Sequence, residues 1–332
     1  MMEQLTRKFK HGLFTCMVGI ALLGSVSGVQ AQANNYPNKP IRLVVGYAPG
    51  GVADITARMV AQKLSDALGQ QVVVDNKPSA GGIVAGDTVA KAEPDGYTLL
   101  HMNYGNAVSA AMFNKMPYDI KKDFQPISAM GFFDVVMLVD KSSDIQSVQD
   151  FIAKAKAAPE KYNIGTVSLG SGQHMSAVLF KSLTGLNTTI VPYKTTPSLM
   201  LALKGKDISV AFEIISPVMP LIRGGEVKAM AVSSGTRFRG LPEVPTLMES
   251  GVKGYNVTAW NGVAAPAKTP RPIIERLNKE INAALALPDV RSKFQDVGID
   301  ARGGTPEELR DILSTEIDKW NNLVTTMKLE RQ

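Results

Sequence analysis

From Ile41 onward, short runs rich in Val and Ile alternate with amphipathic stretches about 15 residues long. A chain with this rhythm buries its apolar faces by pairing strands side by side and laying the helices over them, which gives βα units and parallel sheets. The predicted fold class is therefore α/β. The first unit reads IRLVV at Ile41 to Val45, a turn YAPGG at Tyr47 to Gly51, and a helix from about Asp54 whose Val60, Leu64, Ala67 and Leu68 share one face. Further strands are expected at Gln71 to Asp75, Thr98 to Met102, Val135 to Val139, Asn163 to Ser168, Thr189 to Tyr193, Ile208 to Phe212 and Val227 to Val232.

Helix starts are marked by a hydroxyl before proline at Thr196-Pro197, Ser216-Pro217, Thr269-Pro270 and Thr305-Pro306, where the side chain can cap and proline's fixed φ suits the first turn. Thr305 with Glu308 adds a capping box. After Val232 the pattern changes. Arg237 to Gly251 reads as an irregular loop, and two long helices close the chain, one with Ile274, Leu277 and Ile281 in phase, the other with Leu309, Leu313, Trp320 and Val324. No repeat with a period of tens of residues is present, which excludes a solenoid.

The chain has 332 residues, a length suited to about two domains. Its 36 Lys and Arg exceed its 30 Asp and Glu by six, spread thinly and without the clustered basic face that nucleic-acid binding needs. At the N-terminus Arg7, Lys8 and Lys10 precede an apolar run from Leu13 to Leu23 and then small residues, the layout of a cleaved secretory signal. The run is too short for a spanning helix, and Phe14-Thr15 before Cys16 does not suit lipidation. Cleavage is expected after Ala31 or Ala33. Residues 1–33 contain the only cysteine, so the mature chain has no thiol chemistry, and its balance is 33 basic against 29 acidic residues.

A search for catalytic patterns returns little. Only His101 and His174 follow the signal, with no second histidine at metal-ligand spacing, so no metal site is expected. There is no Gly-x-Ser-x-Gly elbow and no phosphate-binding loop, and Gly170-Ser171-Gly172 lacks the third glycine of a dinucleotide fingerprint. Ser171 and His174 lie three residues apart without an acid. No enzyme activity and no cofactor are expected.

Two strand–turn–helix junctions are more informative: YAPGGVAD at Tyr47 to Asp54 and SLGSGQHM at Ser168 to Met175. Glycine lets the backbone approach a ligand, and the first amides of a helix lack internal acceptors, so each junction can hold an anion. The same turns also serve merely to complete tight corners in α/β proteins. Asp54 either caps its helix near Val52 and Ala53 or pairs with Arg58 one turn on. Tyr104 and Asn106 offer a hydroxyl and an amide at a third junction, or form a simple turn with Gly105.

The stretches YPNKPIRLVVGYAPGGVADITAR, VVVDNKPSAGGIVAGDTVAKAEPDGYTLL, GQHMSAVLFKSLTG, VPYK and LPEVPTLMESGVKGYNVTAWNGVAAPAKTP carry a resemblance that covers essentially everything after the signal. The sequence resembles the extracytoplasmic solute receptors of tripartite tricarboxylate transporters, often called Bug-type receptors. The resemblance implies a periplasmic, two-lobed, type II periplasmic-binding-protein fold, each lobe a mainly parallel sheet flanked by helices. It further implies closure on a small carboxylate, often through bridging waters, and docking to the permease subunits of a membrane transporter. Matching positions are Tyr47, Ala48, Pro49, Gly50, Gly51 and Asp54 in the first loop and Ser168, Gly170, Ser171, Gly172, Gln173 and His174 in the second, followed by Tyr193 and Thr195. Two departures stand out. Gly46-Tyr47-Ala48 replaces the phenylalanine and second proline common in the family, and Phe212-Glu213-Ile214 replaces its usual Asp-Asn pair. Glu213 joins the expected ligand-binding set, but the identity of the acid does not carry over. The expected lobes are 34–130 with 236–332, and 131–235, hinged near Met130 to Phe133 and Ser233 to Gly235. A monomer is expected. The competing readings are a ligand-binding partner of a signalling sensor and a secreted enzyme using the same cleft.

Overall fold

The computed structural model describes residues 36–331; the expected signal, Cys16 and the cleavage point lie outside them. The first elements are β1 (Ile41–Val45), α1 (Val52–Leu68), β2 (Val72–Asn76), α2 (Ile83–Ala90), β3 (Thr98–Asn103) and α3 (Tyr104–Met112). A strand of 17 residues, β4 (Phe124–Asp140), leads to α4 (Val148–Ala157), β5 (Ile164–Val167), α5 (Gly172–Thr184), β6 (Ile190–Tyr193), α6 (Thr196–Lys204), β7 (Val210–Ile214), α7 (Ile215–Arg223) and β8 (Val227–Val232). The chain closes with β9 (Thr258–Pro266), α8 (Arg271–Ala286), α9 (Pro288–Asp296), β10 (Asp300–Ala301) and α10 (Pro306–Thr326).

The strands form one curled sheet in the order β2-β1-β3-β9-β4-β7-β5-β6, with β8 and β10 also on β4. The outer parts, β2-β1-β3 and β7-β5-β6, are parallel, as the βα rhythm predicts, while β9 and β4 pair antiparallel with their neighbours. The lower part of β4, Phe124 to Asp134, pairs with β9, and the upper part, Val135 to Asp140, pairs with β7 and β8. One strand thus belongs to both halves of the sheet. In the first half α1 and α8 pack together, and α10 packs on α3 and β4.

The sequence signals fail at identifiable places. Only the Val135 to Val139 part of β4 was expected, because Pro126 and Gly131 interrupt the rest; the ladder absorbs them with register shifts at Pro126/Ser128 and Ala129/Gly131. The glycine and asparagine in TAWNGVAAP likewise hide β9. In α1 the buried face carries Ala57 and Ala61 with Val60, Leu64 and Leu68, whereas Ala67 is exposed. Thr305 and Glu308 form their capping box as expected, but the cap of α6 is Thr195, one residue before Thr196. Ser216 and Thr269 cap nothing, since α7 begins at Ile215 and α8 after Pro270, and both hydroxyls are buried without partners. The short helix α9 adds a third to the two helices expected at the end.

The chain passes between the halves of the sheet at two adjacent points. Ser233 N–H donates to the Val135 carbonyl (2.9 Å), Val135 N–H donates to the Ser233 hydroxyl (2.9 Å), and Ser234 N–H donates to Asp134 Oδ1 (3.1 Å). The strand changes partner at Asp134/Val135, one residue beyond the expected Met130 to Phe133.

Asp134 is 4% exposed, and burial pushes its carboxyl up to about 6 against the lowering pull of Ser234. Its folded value exceeds the ordinary 3.8, so folding favours the protonated acid. The cost of ionising it is absent below about pH 4, builds between about 4 and 6, and is fully present above. Two units correspond to about 3 kcal/mol. Urea unfolding should therefore show Asp134→Asn gaining on the wild type by about this amount as pH rises from about 4 to 7; parallel stability curves for the two proteins would contradict it.

Candidate ligand-binding site

Both glycine turns sit at the carboxyl ends of parallel strands, where open α/β sheets bind ligands. The first turn follows β1. Gly50 has φ +83°, a conformation that favours glycine, and Ala48, Pro49, Gly50 and Gly51 are all exposed. Gly51 caps α1 with φ −82° and makes no side-chain cap hydrogen bond, so the cap residue supplies no acceptor to the first-turn amides of this helix. Asp54 lies beneath the turn, buried, and accepts from Gly50 N–H (2.9 Å), Asn76 Nδ2 (2.9 Å) and Arg58 Nε (3.0 Å). Burial raises its pKa, but these donors outweigh the effect and hold the carboxyl below its ordinary value. Of the two roles expected for Asp54, pairing with Arg58 is present, while the cap near Val52 and Ala53 is replaced by the bond to Gly50. Arg58 also donates to Asn76 Oδ1 (2.9 Å), and Asn76 Nδ2 donates to the Tyr47 carbonyl (3.0 Å).

The second turn follows β5. Ser168 has φ +42° and Gly170 φ +72°, and Ser168 N–H donates to the Tyr193 carbonyl (2.8 Å), tying the turn to β6. The Ser171 hydroxyl donates to the Val167 carbonyl (2.5 Å) and accepts from His174 N–H (3.1 Å). Ser171 is thus a helix cap, bonded to the backbone of His174 rather than to its ring, which removes the one candidate nucleophile–base pair. His174 is buried, its Nδ1 has no partner, and burial, with Lys181 in support, lowers its pKa.

The junction after β3 joins the two turns. The Tyr47 hydroxyl donates to Asn103 Oδ1 (3.2 Å), and Asn103 caps α3 by accepting from Gly105 N–H (2.8 Å). Asn106 completes the capping box and turns its amide nitrogen toward the Gly81 carbonyl, so both ends of this amide serve the local fold. Tyr104, the first residue of α3, reaches across to α5. Its hydroxyl donates to Gln173 Oε1 (3.3 Å), and its ring lies so close to Gly172 that a Cβ there would come within 1.9 Å.

From Gln173 the contacts run deeper. Gln173 Nε2 donates to Glu213 Oε1 (2.9 Å), which also receives Ile214 N–H (2.7 Å), while the Thr196 hydroxyl donates to Oε2 (2.8 Å). Glu213 is 1% exposed; burial raises its pKa, and the three donors oppose the rise. The structure thus brings together Tyr47, Tyr104, Gly172, Gln173 and Glu213. Thr195 is exposed and Tyr193 half-buried at the rim beside β6. Asn103, Asn76 and Thr196 were missed from the sequence. Asn103 alone carried a signal, as a capping residue type between a strand and a helix.

Among the described residues no group of three or more His, Cys, Asp or Glu is placed to hold a metal ion, and no helix is long and apolar enough to cross a membrane.

A family model described as tripartite tricarboxylate transporter family receptor matches residues 56–329. Protein BugT of Bordetella pertussis is 33% identical over 315 residues, covering 94% of each chain. Among solved structures, the Rhodopseudomonas palustris protein Rpa4515 with adipate is 32% identical, with TM-score 0.80 over 90% of this chain and 100% of the other. MatC of the same organism, with bound malate, is 31% identical, with TM-score 0.75 over 87% and 100%. The matched family is one of periplasmic solute-binding receptors.

The packing makes the two turns respond differently to substitution. A Cβ at Gly51 would meet only the Ala48 carbonyl at 3.7 Å, so Gly51→Val should leave stability nearly unchanged. Gly172→Val should cost about 1–3 kcal/mol in urea unfolding, because its side chain overlaps the Tyr104 ring. The double variant Gly172→Val/Tyr104→Ala should then be no less stable than Tyr104→Ala alone. An undiminished penalty in that background would place the strain elsewhere.

Proposed function

The chain belongs to the tripartite tricarboxylate transporter receptor family, of Bug type, and from that premise we propose that it captures a small carboxylate between two lobes and delivers it to a membrane permease. The lobes are residues 34–130 with 236–332, and residues 131–235. The first offers the turn Tyr47 to Gly51 with Tyr104, and the second offers Ser168 to His174 with Tyr193, Thr195 and Glu213. The protein acts as a periplasmic monomer, returns its ligand unchanged and needs no cofactor.

The observation that carries this reading is the contact of Tyr104 with Gly172 and Gln173, which apposes the two glycine turns. The acid is held by backbone N–H groups, hydroxyls and water. Arg58, the cation nearest the first turn in sequence, is already committed to Asp54 and Asn76. Adipate and malate on the two related R. palustris proteins indicate the chemical class, a short carboxylate with two acid groups.

A thermal-shift screen with adipate, malate, aromatic acids and amino acids should give a saturable rise in melting temperature with at least one dicarboxylate, since a ligand of the folded state alone stabilises it. Gly51→Val should remain folded yet bind that acid about a hundredfold more weakly, the effect of losing two bonds to a charged group. Affinity should change by no more than about twofold between about 50 and 200 mM salt, because no exposed cation makes the contact. Unaltered binding by Gly51→Val in calorimetry, or a steep salt dependence, would reject this mode of capture.

A further inference from the structure

Next to the Tyr104–Gln173 contact, the Glu213 carboxylate draws together the starts of three helices. Gln173 is the second residue of α5 and donates through Nε2 to Glu213 Oε1 (2.9 Å). Thr196 is the first residue of α6 and donates its hydroxyl to Oε2 (2.8 Å). Ile214 caps α7 and donates its backbone N–H to Oε1 (2.7 Å). Helix N-termini carry partial positive charge, so three of them around one carboxylate favour it although every donor is neutral. The side chain is 1% exposed. Buried, satisfied from inside the fold and of the same charge as an acid ligand, it is unsuited to touching one.

The direction of these bonds is fixed. Ile214 N–H can only donate, so Glu213 Oε1 is an acceptor, and the end of the Gln173 amide that meets it is the NH2 group. The amide oxygen is left facing Tyr104 at 3.3 Å, and because an amide oxygen cannot donate, the proton of that bond comes from the Tyr104 hydroxyl. Burial keeps this hydroxyl protonated, its pKa well above the ordinary range. A reversed amide would set its oxygen against Glu213 Oε1, acceptor against acceptor.

We propose that Glu213 is a positioning residue: it pins the starts of α5, α6 and α7 and holds the Gln173 amide with its oxygen toward Tyr104, so that it sets the contact between the two turns without touching the ligand. This deepens the carboxylate-capture reading and rests on it wherever a ligand is concerned. Tyr104 and Glu213 share no hydrogen bond, so any coupling between them passes through Gln173.

A double-mutant cycle in urea, without ligand, tests the proposal. Tyr104→Phe should lower the folding constant about fivefold in the wild type, the worth of one hydrogen bond, and by less than about twofold in Glu213→Met, where nothing orients the amide. In Glu213→Gln the loss should again be about fivefold, because the new oxygen can take the place of Oε1 while the new NH2 donates to Thr196. Equal losses in the wild type and Glu213→Met would overturn the proposal and leave Glu213 a structural residue only. Selective ¹⁵N-glutamine labelling covers the case in which Glu213→Met does not fold. The Gln173 NH2 signal, identified by its loss in Gln173→Met, should shift more on Glu213→Gln than on Tyr104→Phe; the reverse order would mean that the amide is turned round and would overturn the proposal. In calorimetry with adipate, Glu213→Gln should bind at least about tenfold more tightly than Glu213→Met. Equal weakening in the two would make the charge itself a ligand contact, against the proposal. A wild type that fails to bind adipate would count against capture of that acid, and the ligand-free cycle would still decide the role of Glu213.

Discussion

The backbone of β4 has to satisfy its hydrogen bonds against two different sets of neighbours, and much of the architecture follows from that. As far as Asp134 the strand is held by β9; from Val135 it is held by β7 and β8. A parallel sheet grows by βα units, and here its two parallel parts are joined through the antiparallel strands β9 and β4. The return crossing at Ser233 and Ser234 lies directly alongside, so four residues and their hydrogen bonds set how the halves lie relative to each other.

The pairing of the two turns then rests on one close approach. Tyr104 can lie against α5 because position 172 carries no side chain, and the bond from its hydroxyl to Gln173 passes on to Glu213 and Thr196. The two acids beside the turns are treated differently. Asp54 has Arg58 as its counter-charge and helps fix the first turn, whereas Glu213 is held by neutral donors in a buried setting. The Arg58 guanidinium beside the first turn is thus already paired with Asp54.

The parallel strands β1, β2, β5 and β6 were legible because they are short runs with Val or Ile at their core, buried or half-buried along most of their length. The antiparallel strands at the middle were not, because Pro126, Gly131 and Asn261 break the pattern and only pairing partners distant in sequence justify a strand there. At the site, the turns and the Asp54–Arg58 pair were readable from local spacing. The Tyr104–Gly172 contact was not, since the residues are far apart in sequence and belong to different halves of the sheet. Asn106 has a local role its type did not reveal: its oxygen accepts from Asn103 N–H in the capping box, and its nitrogen lies near the Gly81 carbonyl.

The first half of the sheet is completed by the last quarter of the chain. Strand β3 finds its second neighbour only in β9, and α3 and β4 are covered by α10, whose Leu309, Leu313, Ile317 and Trp320 are buried. A chain emerging from the ribosome therefore cannot finish this half until nearly all of it has been made, and contacts between such distant segments form slowly. Synthesis and folding are separated in time by topology.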